Sequence, residues 1–209
     1  MVILMLKINK EYENTIIINK SEFITHLYRV NSVDEVNEIL AKVRKKYYDA
    51  THNCYAYIIG DNAEIQKASD DGEPQKTAGM PMIDVLKKNN LTNILAITTR
   101  YFGGILLGAG GLVRAYSSSV SECLKNVELY DTKNGLKLQI NLNYQEYNSF
   151  IKLPYIKIID QSFTEDVNII FLIDENNYDT LIKDLQNRKI ELSINQLGTE
   201  IIEYKVKKI

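Results

Sequence analysis

Over 209 residues the chain carries 45% hydrophobic and 25% charged side chains, an ordinary globular composition with enough material for one large or two small domains. The net charge of −2 disfavours a protein that coats nucleic acid through bulk charge: residues 50–126 hold seven acidic against seven Lys or Arg side chains, and residues 135–209 eleven against nine. No apolar run is long enough for a membrane span, the apolar start at Met1 to Lys7 lacks the features of a signal peptide, and Cys54 and Cys123 are expected as free thiols in a reducing cytoplasm.

In chain order, Ile16 to Ile18 and Phe23 to Val30 predict a β-hairpin turning at Asn19-Lys20-Ser21-Glu22. Ser32-Val33-Asp34-Glu35 has the form of a capping box, and Val33, Val36, Ile39-Leu40, Val43 and Tyr47 follow at helical spacing, which predicts a helix to about Tyr47. Asn53 to Ile59 and Ile65 to Ser69 predict two strands joined at Gly60 to Ala63. Thr77 is expected to cap a short helix containing Met82, Val85 and Leu86. Asn93 to Thr99 predicts a buried strand, and Leu112 through Leu124 an amphipathic helix ending near Asn126. Val127 to Asn134 predicts a strand plus linker, with Asn134-Gly135 as a turn and domain boundary. A βαββαβ succession follows, with strands around Leu136 to Leu142, Ile156 to Phe163, Val167 to Ile173 and Ile201 to Val206, and helices around Gln145 to Lys152 and Tyr178 to Leu185. That is a ferredoxin-like order.

Seven of the ten glycines and two of the three prolines fall between Ser69 and Tyr116, so this stretch is the candidate functional region. Gly103, Gly104, Gly108, Gly110 and Gly111 precede the Leu112 helix, a strand-glycine-helix arrangement that presents backbone N–H groups to an anion. Arg100 and Arg114 bracket that loop, with Tyr101 beside them, and suit phosphate or carboxylate contact; the alternative is a tight turn with Arg114 paired to a loop carboxylate. The run is neither a Walker A sequence nor a dinucleotide fingerprint. In Asp70-Asp71-Gly72-Glu73, followed by Lys76 and Thr77, three carboxylates could hold a divalent metal; the competing roles are pairing with Arg100 and Arg114, capping the next helix, or contacting a partner. His52 and Asn53 mark a site edge, and His52 and Cys54 share a strand face. A zinc site would need both histidines, His26 and His52, with both cysteines. No cofactor is implied and no catalytic residue is assigned. Tyr55, Tyr57, Tyr101 and Tyr116 lie near the loops as either stacking surfaces or core.

The runs Ser69-Asp70-Asp71-Gly72-Glu73-Pro74 to Thr77-Ala78-Gly79-Met80-Pro81, Arg100-Tyr101-Phe102-Gly103-Gly104 to Gly110-Gly111-Leu112-Val113-Arg114-Ala115-Tyr116, and Ala50-Thr51-His52-Asn53-Cys54-Tyr55-Ala56-Tyr57 resemble the signature of the IMPACT/YigZ family over the whole chain. Gln75-Lys76 departs from it, standing where the family usually has a glycine before Thr77. The resemblance implies an α+β protein of two domains, residues 1–133 and 134–209. The first would be similar to domain IV of elongation factor G and to the second domain of a small-subunit ribosomal protein, and the second, ferredoxin-like, to domain V of that factor. Eukaryotic relatives act in translational control through an additional N-terminal domain that binds a regulator of an initiation-factor kinase. This sequence is not expected to carry that domain, so the partner is not carried over. The expected function is RNA or ribosome binding in translation or its regulation. The alternatives are a metal-dependent hydrolase using Asp70, Asp71 and Glu73, or a protein-interaction scaffold; oligomeric state stays open.

Overall fold

A computed structural model describes residues 5–190 and 193–206, so the first four residues of the apolar start lie outside the described residues. Contacts divide the chain into two compact units, one running to Asp131 and resuming at Lys205, the other Thr132–Tyr204.

The first unit opens with the short strand β1 (Lys7–Ile8), then β2 (Tyr12–Ile18) and β3 (Ser21–Arg29). The hairpin turns on two residues alone, Asn19 (φ 46°) and Lys20 (φ 64°); both lie in the left-handed region that a two-residue turn needs if the strands are to keep their twist. Helix α1 (Val33–Lys46) starts where Ser32 Oγ accepts from Glu35 N at 3.2 Å. The Glu35 carboxylate reaches one residue further back than a capping box requires, accepting from Asn31 N at 2.7 Å. Then come β4 (His52–Ile59), β5 (Ile65–Ser69), α2 (Gly79–Lys88), β6 (Ile94–Tyr101) and α3 (Gly108–Leu124). The sheet order is β2-β3-β6-β4-β5, every neighbouring pair antiparallel.

Alternation along β4 assigns the two faces. Cys54, Ala56 and Ile58 pack with Met82 and Leu86 of α2 and Leu112, Tyr116 and Val120 of α3. Tyr55, Tyr57 and Ile59 pack with Val36, Leu40 and Val43 of α1. The sheet is therefore covered on both sides, which explains why β4 and β6 read as nearly continuous apolar runs.

The second unit takes the later part of β7 (Leu129–Leu142), then α4 (Tyr144–Phe150), β8 (Ile156–Phe163), β9 (Val167–Asp174), α5 (Tyr178–Asn187) and β10 (Ile194–Val206). Its strand order β10-β7-β9-β8 is that of a split βαβ unit. Leu138, Ile140, Ile169 and Phe171 pack under Phe150, Leu181 and Leu185. Asn134-Gly135 is not a turn: both residues lie inside β7. A side chain at Gly135 would begin 2.1 Å from Ile202 Cδ1, so the glycine is there for close packing.

Candidate functional site

Antiparallel register sets His52 opposite Arg100 on β4 and β6, and Arg100 opposite Phe23 on β3. This row lies on the sheet face covered by α2 and α3. The loop of residues 70–78, between β5 and α2, folds over the end of the row, and each of its three carboxylates takes a separate set of partners.

Asp70 caps α2 from eight residues upstream. Its Oδ1 accepts from Ala78 N at 3.0 Å and Gly79 N at 2.9 Å, and its Oδ2 from Lys76 N at 2.7 Å. Thr77, expected as the cap, instead donates its hydroxyl to Pro74 O at 2.6 Å inside the loop. Asp71 accepts from Asn53 N at 2.8 Å and from Arg44 Nη2 of α1 at 3.0 Å. Glu73 turns inward. Its Oε1 accepts from Arg100 Nη1 at 2.6 Å and from the Tyr116 hydroxyl at 2.8 Å, with the Glu73 and Arg100 side chains only 3% and 6% exposed. Among the described residues no three His, Cys, Asp or Glu side chains are grouped to hold a metal.

Arg100 is thus a buried structural cation. It also donates to Ser21 Oγ at 3.4 Å, stacks over Phe23 and Phe102 at 5.4 and 5.6 Å, and leaves its Nε–H without a partner. Arg114 lies apart from it, exposed on α3, with Nη1 3.8 Å from where a Gly110 side chain would begin. The two arginines expected to act together are separated by burial, and the Arg114 pairing with a loop carboxylate does not form.

Gly108, Gly110 and Gly111 lie within the first turn of α3 rather than before it, and that turn has no side-chain cap. Gly104 (φ 82°) and Gly108 (φ 67°) take the left-handed conformations the loop needs, in open space. Gly103 serves close approach, since a Cβ there would begin 2.0 Å from the Lys20 carbonyl carbon. Tyr101 donates to Asp49 Oδ1 at 2.8 Å, a bond that raises its pKa to about 12. Lys76, at the departure from the family pattern, has φ 63°, the backbone region glycine favours.

Cys54 donates to Asp70 O at 2.9 Å and lies 3.4 Å from the Tyr116 hydroxyl; burial pushes both the Cys54 thiol and the Tyr116 phenol well above their ordinary pKa values. Cys123 is pushed up to about 12 by burial. Both thiols are buried and free, which argues against nucleophilic chemistry. His26 lies on the sheet face toward α1, where its Nε2 meets the Tyr47 hydroxyl at 2.9 Å, so it cannot join His52 and Cys54 at one metal.

Between the acidic loop and the start of α3 lies a cavity of ≈ 370 Å³. Thr51, His52, Glu73 and Arg100 form its polar part; Phe102, Leu107 and Leu112 are among its apolar walls. His52 Nδ1 lies 2.8 Å from Asp71 O, a carbonyl that only accepts, so Nδ1 carries a proton and donates it there. Its Nε2 stands 3.8 Å from Glu73 Oε2. Sequence reasoning missed the apolar walls; their signal was the Ile105-Leu106-Leu107 run inside a glycine-rich loop, with Leu106 86% exposed. No described helix is long and apolar enough to cross a membrane.

The model of the Impact N-terminal domain matches residues 19–124, a span containing every site residue above. The chain is 40% identical over 191 residues to the IMPACT family member YvyE of Bacillus subtilis, covering 88% of each, and 32% identical over 185 residues to an IMPACT family member of Haemophilus influenzae, covering 86% of this chain and 90% of that one. A solved structure described as that of a hypothetical protein superposes with a TM-score of 0.61 at 28% identity, over 96% of this chain and 99% of the other. The fold, the signature loops and these relatives agree: this chain belongs to the IMPACT family.

Proposed function

We propose that this protein binds RNA, ribosomal RNA included, and acts in translation or its regulation. The observation that carries the reading is the mouth of α3. An uncapped first turn built on Gly108, Gly110 and Gly111 opens beside the cavity, with the exposed Arg114 guanidinium reaching back over it. The likeness to elongation-factor domains implied by the signature sequence supports the same reading and carries with it a cytoplasmic location. With Arg114 and the first turn of α3 as its contacts, the site engages one or two phosphates, so affinity falls shallowly with salt, at a log–log slope of about −1 to −2.

The test is co-sedimentation with ribosomes and with RNA at low and physiological salt, beside Arg114→Ala. Arg100 is unsuitable as a probe because its removal strands the Glu73 charge. Salt-sensitive binding weakened in the variant is the expected result; binding indifferent to Arg114 rejects the site. A protein partner is a second reading, favoured by the exposed apolar side chains of Phe102, Ile105, Leu106 and Val113. Capture of one defined protein that survives RNase treatment would support it.

A further inference from the structure

We propose that the space between the acidic loop and α3 receives a ribose and that its 2′-hydroxyl donates to Glu73, so that the site selects RNA over DNA. This deepens the RNA-binding reading and rests on it.

The Glu73 carboxylate has one oxygen in use and one idle. Oε1 accepts from Arg100 and Tyr116, and the side chain is 3% exposed. Among the described residues none donates to Oε2, which faces His52 Nε2 at 3.8 Å, beyond bonding distance. Both residues line the cavity, so the idle oxygen borders space that a ligand can fill. A nearly buried carboxylate oxygen without a donor is costly, and a hydroxyl supplied by a ligand relieves that cost. The Thr51 hydroxyl lines the same cavity; it accepts from Phe102 N at 3.3 Å and keeps its own proton to donate.

An acceptor and a donor in one cavity suit the 2′-hydroxyl, which donates through its hydrogen and accepts through its oxygen. The bond to Glu73 holds with His52 neutral or charged; a charged ring adds a donor, Nε2–H, facing the same place. Position favours the sugar over the base. Gly108 and Ala109 of the first turn of α3 line the cavity together with Glu73, so a phosphate held there brings its own ribose in first. Phe102, Leu107 and Leu112 then cover the apolar side of the sugar, and ≈ 370 Å³ falls in the range of small-ligand sites.

The experiment is titration calorimetry of the intact chain with single-stranded uridine octamers as RNA, as 2′-deoxy and as 2′-O-methyl strands. The last keeps the 2′-oxygen but not its hydrogen. RNA is expected to bind about tenfold more tightly than either of the others. Glu73→Gln, measured below its melting temperature, is expected to reduce RNA to the affinity of the 2′-deoxy strand and to leave the latter unchanged. The amide oxygen stays on Arg100, and the amide nitrogen turns the idle acceptor into a donor. Equal affinity for RNA and 2′-deoxy strands, or an RNA preference that survives Glu73→Gln, overturns the proposal; the wild-type panel decides even if the variant fails to fold. Equal binding of the strands that weakens in Arg114→Ala rejects the ribose site alone and leaves the phosphate contact standing. No binding by any strand overturns the ribose site, and ribosome sedimentation then decides the RNA-binding reading separately.

Discussion

Glu73→Gln keeps the shape of the side chain at the centre of the site and removes only its charge. Arg100 would then hold a positive charge in a place where it is 5% exposed, with Ser21 and a neutral amide as its remaining partners. Breaking a buried pair by neutralising one member costs about 3–5 kcal/mol, because the survivor has neither water nor counter-ion. For a chain of this size each kcal/mol moves the melting temperature by about 2–4 °C, so the variant should melt about 6–20 °C below the parent. Calorimetry or circular dichroism at pH 7 measures this directly. The double variant Glu73→Met, Arg100→Met removes both charges and should lie closer to the parent than either single change. A Glu73→Gln protein melting within about 2 °C of the parent would refute the claim that this pair secures the loop.

Asp70→Ala should cost about 2 kcal/mol, since three backbone N–H groups lose their acceptor, and hydrogen exchange should quicken at Lys76, Ala78 and Gly79 ahead of the rest of α2. Lys76→Gly should stabilise by about 1 kcal/mol, because a left-handed residue ceases to carry a Cβ while its N–H bond to Asp70 is kept; a lower denaturation midpoint would count against it. Burial holds His26 below its ordinary pKa of 6.5 despite Glu11 and Glu13 near its Nδ1, with Lys46 adding to the depression. The unfolded chain therefore takes up this proton first. The His26 contribution is complete above about pH 6.5 and falls as pH drops towards the native pKa, and His26→Gln should flatten that part of the stability profile.

Where sequence periodicity and local chemistry decide structure, they were readable. Ser32 and the spacing from Val33 to Val43 mark α1, and alternation from Leu136 to Leu142 and Val167 to Ile173 marks strands of the second unit. Where tertiary packing decides, they were not. Asn134-Gly135 has a turn composition, but the Ile202 side chain fills the space over the glycine within a sheet. The cap of α2 comes from Asp70, eight residues away, outside the reach of any local capping pattern. The acidic and glycine-rich runs, about thirty residues apart in sequence, meet at one cavity. What separates the two arginines of the region is burial: Arg100 and Arg114 have the same side chain, and only the fold makes one a buried counter-ion and leaves the other exposed.

The loop of residues 70–78 spans the edge of a sheet covered on both sides. Asp71 holds Arg44 of the α1 layer, while Asp70 seats α2 and Glu73 engages Tyr116 of α3 on the other. Neither layer alone supplies all of these anchors, so the closed loop ties the two helical layers to each other across the sheet edge. The cavity, walled by that loop and the start of α3, therefore keeps its shape only while both helical layers are in place.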